Sequence, residues 1–153
     1  ADIATDLLAS GHASRFYRRL LIGSDMFTGI DASISGSEDA GYLMLHAKLR
    51  NGTDITRATD TILSEALKIA DVNDIRPDEM ERLANRHESE STFANMEYLN
   101  RAQTIAMAEL HGEDINTANE RYRAVTAAAV AETVRNVIVP ERCNTLVYRA
   151  ESQ

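Results

Sequence analysis

Polar and apolar residues alternate with a period of two in two neighbouring stretches of the chain, and recur every three or four positions over most of the remaining length. In the first stretch Ile30, Ala32 and Ile34 fall on one side and Asp31, Ser33 and Ser35 on the other; in the second, Leu43, Leu45, Ala47 and Leu49 oppose Tyr42, Met44, His46 and Lys48. Period two predicts strands. Between them Gly36-Ser37-Glu38-Asp39-Ala40-Gly41 is polar and bracketed by glycine, so the strands are expected to pair antiparallel across that loop, with Asn51-Gly52 closing the second strand. Upstream, Phe16, Leu20 and Leu21 recur at helical spacing and predict a short helix over 13–22, ended by Gly23 in the left-handed conformation. Ile3, Ala4, Leu7 and Leu8 read as the middle of a helix, and the chain is therefore expected to begin at a boundary cut within a longer protein.

After the hairpin the period is helical. Asp54 is placed to cap a helix over 55–70, in which Ile55, Ala58, Ile62, Ala66 and Ile69 form one stripe suited to covering the sheet. Pro77 fits the first position of the next helix, where its missing N–H costs nothing, and Glu79 and Glu81 suit the positive end of the helix dipole. Over 78–111 Met80, Leu83, Ala84 and His87 are followed by Phe93, Met96, Leu99, Ala102, Ile105, Ala106 and Leu110, with a slip of register around 89–95; two consecutive helices are expected, the second ended by Gly112. A short helix over 116–123, a helix over 127–137 capped by Thr126 and stopped by Pro140, and a strand over 143–149 complete the chain. This order predicts an α+β domain of two layers: a largely antiparallel sheet with helices packed on one face.

A chain of 153 residues has the size of one domain and can bury one core. No apolar run approaches the roughly 20 residues that cross a bilayer, so no membrane segment is expected. The first residues lack a signal peptide's basic start and apolar centre. A soluble chain is expected; the compartment of the parent, cytoplasm or periplasm, stays open. The formal charge of -8 repels phosphate backbones, and only Arg15, Arg18 and Arg19 cluster, which argues against nucleic acid as a partner. The trio is expected to form a solvated helix face whose stems cover apolar surface. A lone Cys143 allows no internal disulfide, and at the start of a strand it lacks the helix N-terminus or histidine that activates a thiolate. Neither a nucleophile elbow nor a glycine-rich phosphate loop is present. The carboxylate pair Glu113 and Asp114 has no spacing that would recommend it for acid–base work.

Three words in the sequence carry a resemblance. Ser14-Arg15-Phe16-Tyr17-Arg18-Arg19-Leu20 followed by a strand, the turn Asp39-Ala40-Gly41 and a second strand; Pro77-Asp78-Glu79-Met80-Glu81-Arg82; and Tyr122-Arg123-Ala124-Val125-Thr126 occur in an order that resembles the C-terminal domain of insulinase/pitrilysin-type zinc peptidases, the group that includes the mitochondrial processing peptidases. The resemblance spans almost the whole chain. It implies a metallopeptidase half-domain that helps to build a clam-like, peptide-hydrolysing chamber, and a further strand ahead of the first helix that is missing here.

By the same resemblance, zinc would be held by an inverted His-x-x-Glu-His motif with a further glutamate, the motif glutamate serving as general base. This chain has no such motif. His87-Glu88-Ser89-Glu90 is the nearest text and holds one histidine, while His12, His46 and His111 lie on other elements. Each histidine reads as an ordinary surface or half-buried imidazole, and Glu88 and Glu90 as solvated. Many members of the family also carry an arginine and a tyrosine in this domain that hold the substrate backbone; counted from Ser14-Arg15-Phe16, those places fall on Leu21 and Thr28, which offer neither charge nor reach.

The resemblance, taken with the missing motif, implies a non-catalytic C-terminal domain of an insulinase-like zinc metallopeptidase or of its inactive partner subunit. No catalytic, cofactor-binding or metal-binding residue is assigned in this chain, and zinc is expected in the catalytic domain of the parent or partner. By the same resemblance, its expected partners are that zinc-bearing domain or subunit and, indirectly, the peptide substrate. The alternative is a freestanding α+β protein-interaction module with no peptidase connection. By the same resemblance the missing first strand leaves an edge without its neighbour, so a homodimer of the chain, at least a weak one, is expected through strand edges or exposed apolar surface.

Overall fold

The computed structural model describes residues 1–36 and 41–149. The middle of the hairpin loop, 37–40, lies outside the described residues. Helix α1 (Asp2–Ala9) is followed by a π-helical turn (Phe16–Leu21), then strands β1 (Phe27–Ser35) and β2 (Tyr42–Leu49). Helices α2 (Ile55–Leu67), α3 (Pro77–Ala94), α4 (Tyr98–His111), α5 (Ala118–Ala124) and α6 (Ala127–Val137) complete the order. Short 3-10 turns at Lys68–Ala70, Val72–Asp74, Ile115–Thr117 and Pro140–Arg142 join or extend them. The fold is α+β, largely helical, with an antiparallel two-stranded sheet.

Local chemistry sets the helix ends. The Asp54 carboxylate accepts from the Arg57 N–H at 2.7 Å to start α2, and the Thr126 hydroxyl accepts from the Ala129 N–H at 3.2 Å to start α6. Pro77 is the first residue of α3, and Glu79 reaches back to accept the Arg76 N–H at 3.1 Å. Gly112 ends α4 at φ 66°, a left-handed position that an L side chain adopts only with strain.

In the sheet, Ile30 faces Ala47, Ala32 faces Leu45 and Ile34 faces Leu43, while Asp31, Ser33 and Ser35 face His46, Met44 and Tyr42. The expected alternation therefore holds. The apolar face is covered by α1 and the π-helical turn against β1, and by α2 against β2; α3 and α6 pack on the far side of α1. Helix α1 is the centre of the core: Ile3, Ala4, Leu7 and Leu8 are buried, together with Phe16, Phe27, Ile69, Leu83, Val130 and Val134. The stripe on α2 is buried at Ala58 and Ala66 and continues to Ile69 in the 3-10 turn.

Several elements differ from expectation. The hairpin outruns the core: Leu45, Ala47 and Leu49 pack against it only half-buried, and Ile34 is exposed. β1 begins at Phe27, three residues before the strict alternation, because an irregularity between Phe27 and Gly29 shifts the pairing register. The helix expected over 13–22 is π-helical, with the Ile22 N–H donating to the Tyr17 carbonyl. Gly23 is not left-handed; its lack of a side chain lets the backbone approach the Arg19 carbonyl, which a Cβ would meet at 2.5 Å. The long helical tract does break into two helices, at the end of the stretch 89–95: α3 ends at Ala94 and α4 begins at Tyr98, while the polar residues before Ala94 leave the hydrogen bonds of α3 intact.

The largest correction is the strand expected over 143–149. The sheet of the described residues has two strands, and 143–149 runs outside both, with Leu146 95% and Tyr148 93% exposed. Alternation marks a segment able to form a strand, but a ladder needs a neighbour offering free N–H and C=O groups alongside.

These positions rank in stability. Replacing Leu7, which is fully buried, with alanine should cost about 2–5 kcal/mol. Leu45→Ala should cost less, near 1–2 kcal/mol by the share of its surface withdrawn from water, about 25 cal/mol per Å², and Ile34→Ala under about 1 kcal/mol. Urea unfolding of the three variants checks the order, and equal losses would contradict this packing.

Candidate functional site

The groups able to do chemistry gather at two places. The first is the start of the π-helical turn. Arg15, only 3% exposed, donates from Nε and Nη2 to the two Glu79 carboxylate oxygens at 3.2 and 2.9 Å, from Nη1 to the Asp74 carboxylate, and from Nη2 to the Asp74 carbonyl at 2.6 Å. Ser14, also buried, accepts the Tyr17 N–H, and Phe16 fills the core beside it. Burial would lower the affinity of Arg15 for its proton, but hydrogen bonds and charge from Glu79 and Asp74 outweigh this and raise its pKa further. Burial would likewise raise the Glu79 pKa; the hydrogen bonds from Arg15 and the Arg76 N–H, with the charge of both arginines, hold it below the usual carboxylate range. The arginine trio departs from a solvated face at Arg15, which is buried in an ion cluster; Arg18 and Arg19 are exposed, and Arg19 pairs with the buried Glu65 at 2.5 Å.

The second place joins α1, α3 and α5. The Tyr122 hydroxyl donates to the Asp6 carboxylate at 2.9 Å, and its ring stacks on His87 with centroids 4.0 Å apart and planes 4° from parallel. Burial first, then the Asp6 hydrogen bond, push the phenol pKa well above its ordinary value, so Tyr122 stays a neutral donor and cannot serve as a base. Beside it lies a shallow hollow of about 170 Å³, lined by Ile3, Met80, Leu83, Ala84 and Val125 among others, and a second of about 170 Å³ adjoins it along α6. Both are smaller than the roughly 300–1,000 Å³ that encloses a drug-sized ligand.

The other residues singled out in the sequence are dispersed. His12 stacks at a tilt on Tyr17, His46 is exposed on β2, and His111 sits in the last turn of α4, where a cation suits the dipole. Glu88 and Glu90 are exposed, as expected, and form surface pairs with Arg123 and Arg86, each at 2.6 Å. Leu21 packs against the core, and the exposed Thr28 donates to the Lys48 carbonyl at 3.2 Å. Cys143 is exposed. Glu113 and Asp114 do not act as a pair: Glu113 binds Arg121, whose hydrogen bond and charge lower its pKa, and Asp114 caps the turn at Ile115–Thr117. Among the described residues no three His, Cys, Asp or Glu side chains come together as a metal site would require, and no helix is long and apolar enough to cross a membrane.

The fold itself has known counterparts. The chain aligns over 92% of its length with the crystal structure of a protease from Helicobacter pylori, at TM-score 0.78 and 12% identity. It aligns over 92% with a chain from Bordetella pertussis Tohama I described as a zinc protease, at TM-score 0.76 and 20% identity. The chain shares its fold with both. It spans 34% of the Helicobacter chain and 78% of the Bordetella chain. No family model matches the sequence, and no curated protein matches it either.

Within that protease-domain fold, the three words of the resemblance turn out to be joints. Arg15 of the first word binds Glu79 of the second; Tyr122 of the third ties α5 to α1, and Thr126 caps α6. Sequence reading misses this when it weighs each word for chemistry, because the pairing of Arg15 with Glu79 spans 64 positions. A glutamate at the third helical position, just after a proline, is the available signal, but a capping role on its own helix explains it fully.

Because the Glu79 pKa is depressed in the folded state, the stability it contributes is present above its unfolded pKa of about 4.3 and is lost as pH falls through the folded value. Glu79→Gln should therefore cost about 1.5–3 kcal/mol at neutral pH. The gap from the parent protein should close once the medium is acidic enough to protonate Glu79. Urea unfolding over a pH series checks this; a gap independent of pH would show that the charge of Glu79 carries no stability.

Proposed function

We propose that this chain is a non-catalytic C-terminal domain of an insulinase-like zinc metallopeptidase, or of its inactive partner subunit, and that it encloses part of the chamber in which another domain hydrolyses peptides. One observation carries the reading: a chain with the fold of zinc-protease domains over 92% of its length contains no His-x-x-Glu-His in its sequence. The order of the three motif words supports the same family. The places at which related domains hold the substrate backbone fall on Leu21 and Thr28, so this domain shapes and closes the chamber instead of gripping peptide. Zinc, with the glutamate that activates water, belongs to the partner domain or subunit, which this chain meets as a scaffold.

A freestanding interaction module is not favoured. The likeness to protease chains gives the fold a natural place in a larger enzyme, and nothing in the geometry recommends a different one.

The purified chain should neither hydrolyse a mixed peptide library nor retain stoichiometric zinc by calorimetry, and His87→Ala should change neither result. Mixing it with the domain of its own enzyme that bears His-x-x-Glu-His should raise peptide hydrolysis at least about tenfold, the direction expected when a chamber closes around substrate. Hydrolysis and stoichiometric zinc in the isolated chain would overturn the proposal.

A further inference from the structure

The helix least explained by the fold is α4. Its fourteen residues include no buried one, and its principal contact with the rest of the chain is the turn at Ile115–Thr117. Yet its surface is apolar: Tyr98 is 91%, Leu99 69%, Ile105 49% and Leu110 69% exposed. A helix of this length is marginal in water unless its apolar face is packed against something.

The pattern on that face is specific. Tyr98, Ala102, Ala106 and Leu110 stand four apart and form one ridge, large at the ends and small in the middle; Arg101, Ile105 and Glu109 form the adjacent ridge, apolar at the centre and oppositely charged at the ends. Ridges at this spacing pack into the grooves of a like helix, and small side chains let the two axes approach closely. A twofold axis through Ile105, running antiparallel copies past each other, sets Ile105 of each against Ile105 of the other, with the small side chains of Ala102 and Ala106 alongside it leaving room for the two helices to approach. The same axis brings Arg101, four residues before the centre, opposite Glu109, four residues after it, and does so twice. The ion pairs formed nearby, Arg121 with Glu113 and Arg123 with Glu88, leave Arg101 and Glu109 uncommitted among the described residues.

We infer that α4 is a self-association surface, and that its occupant is α4 of a second copy of this chain, packed antiparallel about Ile105. The interface is isologous, as a twofold requires. A single helix pair falls short of the roughly 800 Å² per partner of a standard stable interface, so the dimer is weak and forms with rising concentration. This inference is independent of the peptidase reading, since it rests on α4 alone.

Sedimentation equilibrium of the purified chain over a wide concentration range tests it. The parent chain should show a reversible monomer–dimer equilibrium. Ala106→Glu, which introduces an unpaired charge at the centre of the contact on a residue exposed in the monomer, should weaken association by at least about tenfold. Arg101→Glu should weaken it and salt should then matter less, whereas Arg101→Glu with Glu109→Arg should restore it, because the exchanged charges meet again across the twofold. Circular dichroism confirms that each variant remains folded. A parent chain that stays monomeric at high concentration would overturn the inference. So would a dimer indifferent to Ala106→Glu, which would place the contact on a sheet edge or on another domain's face, or a double exchange that fails to recover what Arg101→Glu lost.

Discussion

The buried guanidinium of Arg15 is the constraint to which the remaining elements adjust. A charge withdrawn from water is tolerable only when its partners satisfy it, and here two carboxylates and a carbonyl do so from one side of the fold. Those partners are not near it in sequence. Asp74 closes the 3-10 turn that precedes α3 and Glu79 lies in the first turn of α3, so Arg15, just ahead of the π-helical turn, ties the start of α3 to that turn. With that turn held, Phe16 and Leu20 enter the core beneath β1, and α1 is trapped between the sheet and the later helices.

The balance of charge and burial around this joint is close to complete. Among the described residues no buried side-chain nitrogen or oxygen lacks a partner. Tyr122 supplies the second joint, between α5 and α1, and its raised pKa keeps it a donor to Asp6 throughout the physiological range.

Much of this is legible in the sequence because it depends on local periodicity. The alternation from Ile30 to Leu49 identifies both strands and which side chains share a face, and Asp54, Pro77, Gly112 and Thr126 mark helix ends through chemistry confined to one turn. What escapes is non-local. Nothing near Arg15 says that it pairs across 64 positions, so periodicity alone makes it a solvated arginine. Nothing in 143–149 says whether a neighbouring strand exists, so alternation there predicts a strand that the two-stranded sheet does not contain. Burial on the hairpin is overestimated for a similar reason: periodicity tells which face is apolar but not how far the core extends beneath it, and Ile34 lies past its edge. The missing catalytic motif, by contrast, needs no structure at all, since a zinc triad of this kind is a statement about spacing.

Whether Arg15 and Glu79 act as one joint decides how the fold is held, and a double-mutant cycle measures that most directly. Arg15→Met and Glu79→Met each leave a charged partner in a buried setting, while the double variant removes both. If the joint holds the fold as described, the two losses should be strongly non-additive, with the double variant more stable than their sum predicts by about 1.5–3 kcal/mol. Additive losses would mean that the two residues stabilise the domain independently, and that the position of α3 is set by its apolar packing alone.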